Sequence, residues 1–209
     1  MKKITLLLFL IFVSCDITYD GETRLISETN VIDRNGNPLS GIEVSIRASN
    51  GFDSHYVSKG VSDAKGNTTL VFPKPETSDL VISFSNEESE YETLSYYNIK
   101  IADFDNYKHQ LNEVILLKSN DVTFLEIHFL NTSNENIVVE DYSIEGLIYK
   151  DYYMEEEPYD YYSDLYFRVA KNQTIQLHYT LRNFSTGIKS EHTTSIIVQN
   201  ESINETINY

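Results

Sequence analysis

Between Ile175 and Leu181 every second residue is apolar. Ile175, Leu177, Tyr179 and Leu181 alternate with Gln176, His178, Thr180 and Arg182. A period of two sends the two sets to opposite faces of a strand, whereas a helix needs a period near 3.6. The same period recurs in Ile42, Val44 and Ile46, in Leu80, Ile82 and Phe84, and in Leu125, Ile127 and Phe129. No helical stripe longer than two turns competes with it. Looser β-rich runs lie at 25–32, 56–61, 69–72, 94–101, 111–117, 137–139, 144–149, 165–169 and 194–199. The chain has 16 Tyr and 10 Phe, residues that favour a pleated, half-buried surface. Turn chemistry punctuates the runs at 33–38, at Asn50-Gly51 and at 63–67, and Pro73 and Pro75 are expected to end a strand. Short strands at this spacing predict an all-β protein of two consecutive small β-sandwiches.

Cys15 is the single cysteine, so no internal disulfide can staple this fold and its core alone must hold it. Its position carries more information. Lys2 and Lys3 precede an apolar run over 4–13 that only Thr5 interrupts. That is a charged region followed by a leader-length apolar region, too short for the roughly 20 residues of a membrane span. The quartet Phe12-Val13-Ser14-Cys15 resembles the bacterial lipobox, with Phe12 where Leu is usual. The resemblance implies a diacylglyceryl group on the Cys15 thiol, cleavage just before it, and acylation of the new amine. Two or three chains anchor stably where one is marginal. The expected organisation is a signal peptide at 1–14 and a lipidated tether at 15–22. The expected location is the cell envelope, in the outer rather than the inner membrane, with the membrane reached through lipid on Cys15.

There are 32 acidic and 16 basic residues, a net charge of −16. Loss of Lys2 and Lys3 with the leader leaves 32 against 14, or −18. So acidic a body repels phosphate backbones, which argues against nucleic acid as a partner. It is also repelled by anionic headgroups, so the body is expected to stand off the membrane.

The segment Val31-Ile32-Asp33-Arg34-Asn35-Gly36-Asn37-Pro38-Leu39-Ser40-Gly41-Ile42-Glu43-Val44 resembles the opening of a carboxypeptidase regulatory-like domain. Ser62-Asp63-Ala64-Lys65-Gly66-Asn67, followed by Thr69, resembles its second signature turn. The resemblance implies a transthyretin-like sandwich over 23–118. The later Gly-x-Tyr element of that family is absent, and 73–79 takes its place. Both motifs are turn chemistry and imply no activity. Some transthyretin-like proteins are ureide hydrolases that end in Tyr-Arg-Gly-Ser. This chain ends Glu205-Thr206-Ile207-Asn208-Tyr209, so that activity does not carry over.

A second sandwich is expected at 119–201, followed by a flexible polar tail at 202–209. The most unusual stretch is 149–164, with six tyrosines and six carboxylates. It reads as an exposed loop spanning 149–166, in which Tyr152, Tyr153, Tyr159, Tyr161 and Tyr162 offer rigid contact area with polar tips to a protein or glycan partner. Glu155, Glu156, Glu157, Asp160 and Asp164 are hard oxygen donors of the kind calcium takes, although no EF-hand spacing is present. The alternative is an acidic loop that is only solvated. His128 and His178 fall on the outward phase of their strands and would be neighbours if those strands pair. No nucleophile elbow, P-loop or His-Glu-x-x-His motif occurs, so no catalytic residue and no cofactor are expected. The expected role is non-enzymatic: a lipid-anchored binding or structural protein of the envelope. The alternatives are an accessory subunit of an outer-membrane complex for glycan or nutrient capture, or a small hydrolase with an unrecognised site.

Overall fold

The computed structural model describes residues 17–50, 54–76, 79–85, 90–133, 135–149 and 162–209. Its regular structure is almost entirely strand. β1 (Tyr19–Asp33), β4 (Asn67–Pro75) and β7 (Lys108–Leu116) form a sheet in the order β4-β1-β7. It faces a second sheet in which β2 (Glu43–Ser49), β3 (Ser54–Val61), β5 (Asp79–Ser85) and β6 (Leu94–Ile99) follow the order β3-β2-β5-β6. The alternating residues decide which faces meet. Val44, Ile46 and Ala48 of β2 lie in register with Phe84, Ile82 and Leu80 of β5, and all six are buried. They pack with Leu25, Val31, Leu70, Phe72, Val114 and Leu116 of the opposing sheet.

The second half repeats the arrangement with different strands. β8 (Val122–Leu130), β10 (Ile148–Tyr149), β11 (Asp164–Ala170) and β14 (Ile203–Asn208) take the order β10-β11-β8-β14. β9 (Ile137–Glu145), β12 (Gln173–Asn183) and β13 (Lys189–Val198) take the order β13-β12-β9. The alternation along β12 decides its burial: Ile175, Leu177, Tyr179 and Leu181 are buried, and Gln176, His178 and Thr180 are not. They close a core with Leu125, Ile127, Val139, Leu165, Val169, Ile196 and Val198. The protein is therefore all-β, built as two sandwiches.

The two signature turns have the same construction. The Asp33 carboxylate accepts the amides of Asn35 and Asn37, and the Asp63 carboxylate those of Lys65 and Asn67. Gly36 and Gly66 close them at φ +82° and +80°, where a side chain is strained. They differ in surroundings. A Cβ on Gly66 would lie 2.3 Å from the Val31 carbonyl oxygen, while one on Gly36 would meet nothing within 4 Å. Gly66 sits where the turn crosses β1, and its carbonyl accepts the Val31 amide at 2.8 Å.

Several sequence expectations are corrected. Of the tether expected at 15–22, the described residues 17–22 are not a free linker: Ile17 is 7% exposed within the first core, and Tyr19 already pairs with Pro75. Nor is 202–209 a frayed tail. β14 pairs in parallel with β8, and Ile207 is buried. Ile203 and Ile207 supply the apolar positions that the polar residues around them mask in the sequence. Pro73 lies inside β4, tolerated because β4 is an edge strand, and only Pro75 stands at its end. The run at 137–139 extends further, since β9 runs unbroken from Ile137 to Glu145, and the run at 144–149 is divided between the end of β9 and β10. His128 and His178 are not neighbours by pairing: β8 and β12 belong to different sheets.

Candidate functional site

The two sandwiches meet through specific side chains. Tyr149, at the end of β10, is 7% exposed and belongs to the core cluster of the first sandwich. Arg168 of β11 lies over its ring at 4.7 Å and makes an ion pair with Glu92 of the first sandwich at 2.9 Å. Burial raises the Glu92 carboxyl, but the Ser119 hydrogen bond and the hydrogen bond and charge of Arg168 outweigh it. The group is held below the usual carboxylate range. On another side, Arg34 of the first signature turn donates to the Lys171 carbonyl oxygen at 3.0 Å.

Beside these contacts lies a cleft of about 1020 Å³. β6 and β7 contribute Leu94, Tyr96, Tyr97 and Ile115, and β8 contributes Phe124. β9, β10 and β11 contribute Tyr142, Ile144, Tyr149, Tyr166, Phe167 and Arg168, and Tyr162 completes the wall. The rings are ordered against one another. Tyr142 meets Tyr162 edge-on at 4.9 Å and Phe167 at 6.1 Å, the offset geometry that aromatic quadrupoles favour. Phe124 and Tyr166 keep 62% and 55% of their surface exposed at its edge. Among the described residues that line it, Glu113 is the one carboxylate and none is histidine. Such a surface can stack planar or ring-shaped groups and bury apolar ones.

The sequence-predicted site residues divide. Cys15, Tyr152, Tyr153, Tyr159, Tyr161, Glu155, Glu156, Glu157 and Asp160 lie outside the described residues. Tyr162 is not a free loop residue: its ring packs on Tyr142, and its amide donates to the Val139 carbonyl oxygen at 2.9 Å. The expected loop at 149–166 is also too wide. Tyr149 ends a strand, and Asp164, Leu165 and Tyr166 begin one.

Asp164 is engaged by neighbours. Its carboxylate takes the His128 ring Nδ1 at 2.5 Å and the Ser163 hydroxyl at 2.7 Å. The His128 and Ser163 hydrogen bonds lower its carboxyl. In return the Asp164 hydrogen bond, with the nearby charges of Glu126 and Asp164, raises the His128 imidazole. Among the described residues no group of three or more His, Cys, Asp or Glu side chains is placed to hold a metal ion.

Sequence reasoning passed over Tyr96, Tyr97, Phe124, Tyr142 and Phe167. They come from four strands far apart in the chain, so no local motif joins them. The tyrosine excess was the available signal.

No family model matches the chain, and no curated protein matches it in sequence. Among solved structures it is similar to a shaft pilin SpaA mutant (D295N) from Lactobacillus rhamnosus GG, at 10% identity and TM-score 0.38 over 89% of this chain and 98% of that one. It is similar to a putative adhesin from Bacteroides ovatus at 12% identity and TM-score 0.33, over 89% of this chain and 93% of that one. A 9R-lipoxygenase from Cyanothece is 18% identical with TM-score 0.34 over 47% of this chain, which spans 17% of that chain's length. The chain spans 34% of the Bacillus anthracis TIE protein.

Proposed function

We propose that this chain is a non-enzymatic protein of the bacterial cell envelope, anchored by lipid on Cys15, whose two sandwiches present the aromatic cleft at their junction to a protein or glycan partner. The carrying observation is the cleft itself, in which rings from both sandwiches line one concave apolar surface of ligand-binding size. Tyrosine and phenylalanine faces suit sugar rings and apolar side chains alike. The leader pattern and Cys15 support the anchor, with the outer membrane as the expected home. The two aspartate-glycine turns support the reading of the first sandwich as a carboxypeptidase regulatory-like domain.

The test combines a glycan array with an envelope pull-down. Wild-type protein and the Tyr97→Ala/Tyr142→Ala variant are compared, after circular dichroism establishes that both are folded. The reading expects a retained glycan or protein that the double variant loses. Equal retention by both removes the cleft's role. Mass spectrometry of the mature N-terminus tests the anchor separately, since an unmodified Cys15 or cleavage elsewhere removes it.

A further inference from the structure

We propose that the pole of the first sandwich bearing Tyr19, His55, Tyr56, Val57 and Pro73 lies directly against a bilayer of zwitterionic phospholipid. The inference rests on the reading of Cys15 as the lipidated residue. It reverses the expectation of a body that stands off the membrane.

The first argument is chain length. Ile17 is locked in the core, Thr18 accepts the Glu76 amide at 3.0 Å, and Tyr19 pairs with Pro75. Only Asp16 separates Cys15 from Ile17. Two residue steps reach at most about 7 Å. A sandwich of this size has a radius of gyration of about 13 Å. A body fixed so close to its lipid cannot stand clear of the headgroups. The start of β1 therefore selects the pole that meets them.

The second argument is the chemistry of that pole. Ile17, Tyr19, His55, Tyr56, Val57 and Pro73 line a shallow concavity of about 490 Å³. Tyr56 keeps 59% of its surface exposed. An amphipathic ring of this kind partitions to the headgroup layer. Lys59 places its ammonium 4.2 Å from the centre of that ring, and the Arg47 guanidinium lies at 5.8 Å. Both can donate to lipid phosphate.

The acidic groups select the lipid. Glu43 pairs with Lys59 at 3.1 Å. Hydrogen bonds from the Thr23 hydroxyl and from the Glu22 and Thr23 amides hold the Asp20 carboxyl down to about 2, so it remains ionised. With a net charge of −18 once Lys2 and Lys3 are lost with the leader, an anionic leaflet is repelled, while phosphate beneath a choline or ethanolamine group is not.

The chain has no tryptophan, so Tyr56→Trp introduces a single fluorophore at an exposed site. Phe184→Trp places one in the β12–β13 turn, at the end of the second sandwich away from the junction. Each full-length acylated variant is reconstituted into phosphatidylcholine vesicles with or without brominated acyl chains. Contact at headgroup depth predicts loss of about half of the Tyr56→Trp emission to bromine, with Phe184→Trp unchanged. An unquenched Tyr56→Trp on protein whose Cys15 lipid is verified by mass spectrometry overturns the inference and leaves the anchor standing. Equal quenching of both overturns it too, because the protein then lies flat. A Cys15 without lipid removes the anchor and the inference together.

Discussion

Arg168 and Glu92 form an ion pair between the two sandwiches: the guanidinium of β11 meets the carboxylate that precedes β6 at 2.9 Å, with 26% and 19% of the side chains exposed. The same guanidinium covers Tyr149, whose ring is buried in the first core. Removing Arg168 leaves the part-buried Glu92 carboxylate with its Ser119 hydrogen bond but without that cation. Arg168→Ala is expected to lower stability by about 1–3 kcal/mol and to separate the two sandwiches into distinct calorimetric transitions. Glu92→Gln/Arg168→Gln should recover part of that loss. A single unchanged transition in Arg168→Ala would show that the pair does not couple the halves.

The pH dependence of this contact has a definite sign. The folded Glu92 carboxyl lies below its ordinary value. Its contribution is present above the unfolded value of about 4.3 and is lost as pH falls through the folded one. Urea midpoints should fall on acidification below that point, and Glu92→Gln should flatten this part of the profile.

His128 titrates in the opposite sense. Its hydrogen bond with Asp164 and the Glu126 charge raise it above its ordinary value of about 6.5. Its stabilising interaction is present below that unfolded value and is lost as pH rises through the folded one. Imidazole resonances followed by NMR should report the raised midpoint, and Asp164→Asn should bring it back down. A His128 midpoint indifferent to Asp164→Asn would exclude the pair in solution.

The two signature glycines allow a matched comparison, because they share a positive φ and differ only in neighbours. Gly36→Ala has open space and should cost about 1–2 kcal/mol, the backbone penalty alone. Gly66→Ala drives a methyl group into the Val31 carbonyl oxygen and should cost clearly more. Equal thermal shifts would mean that the crossing of turn and strand relaxes freely.

Ile207 tests whether the last strand is structural. At 6% exposure, its truncation to Ala should cost about 2–4 kcal/mol. A chain ending at Ser202 should lose more, since β8 would become an exposed edge. Little change in either would restore the picture of a frayed tail.

The sequence displayed its cores well and its connections poorly. Ile175, Leu177 and Leu181 were legible because a half-buried strand writes its exposure into every second residue. The turns at Asp33 and Asp63 were legible because positive φ demands glycine. Residues whose partners are distant were not. Ile17 stands among polar residues, and only the pairing of Tyr19 with Pro75 reveals that it is inside. Ile203 and Ile207 form a two-residue apolar set whose partner strand lies some 80 residues away in the register Ile203 to Leu125. Tyr149 reads as part of an acidic loop, yet it packs in the core of the other sandwich. The cleft inherits this difficulty, because its rings converge only after both sandwiches have formed.

The parallel pairing of β14 with β8 also bears on how the molecule carries load. β8 leaves the junction at Val122 and runs to Leu130, and β14 runs beside it in the same direction from Ile203 to Asn208. Tension applied between the first sandwich and Tyr209 pulls these strands along their length in opposite directions. Their hydrogen bonds are then sheared together rather than peeled open one at a time. The last strand thus acts as a mechanical clamp, resisting extension along the line from the first sandwich to Tyr209.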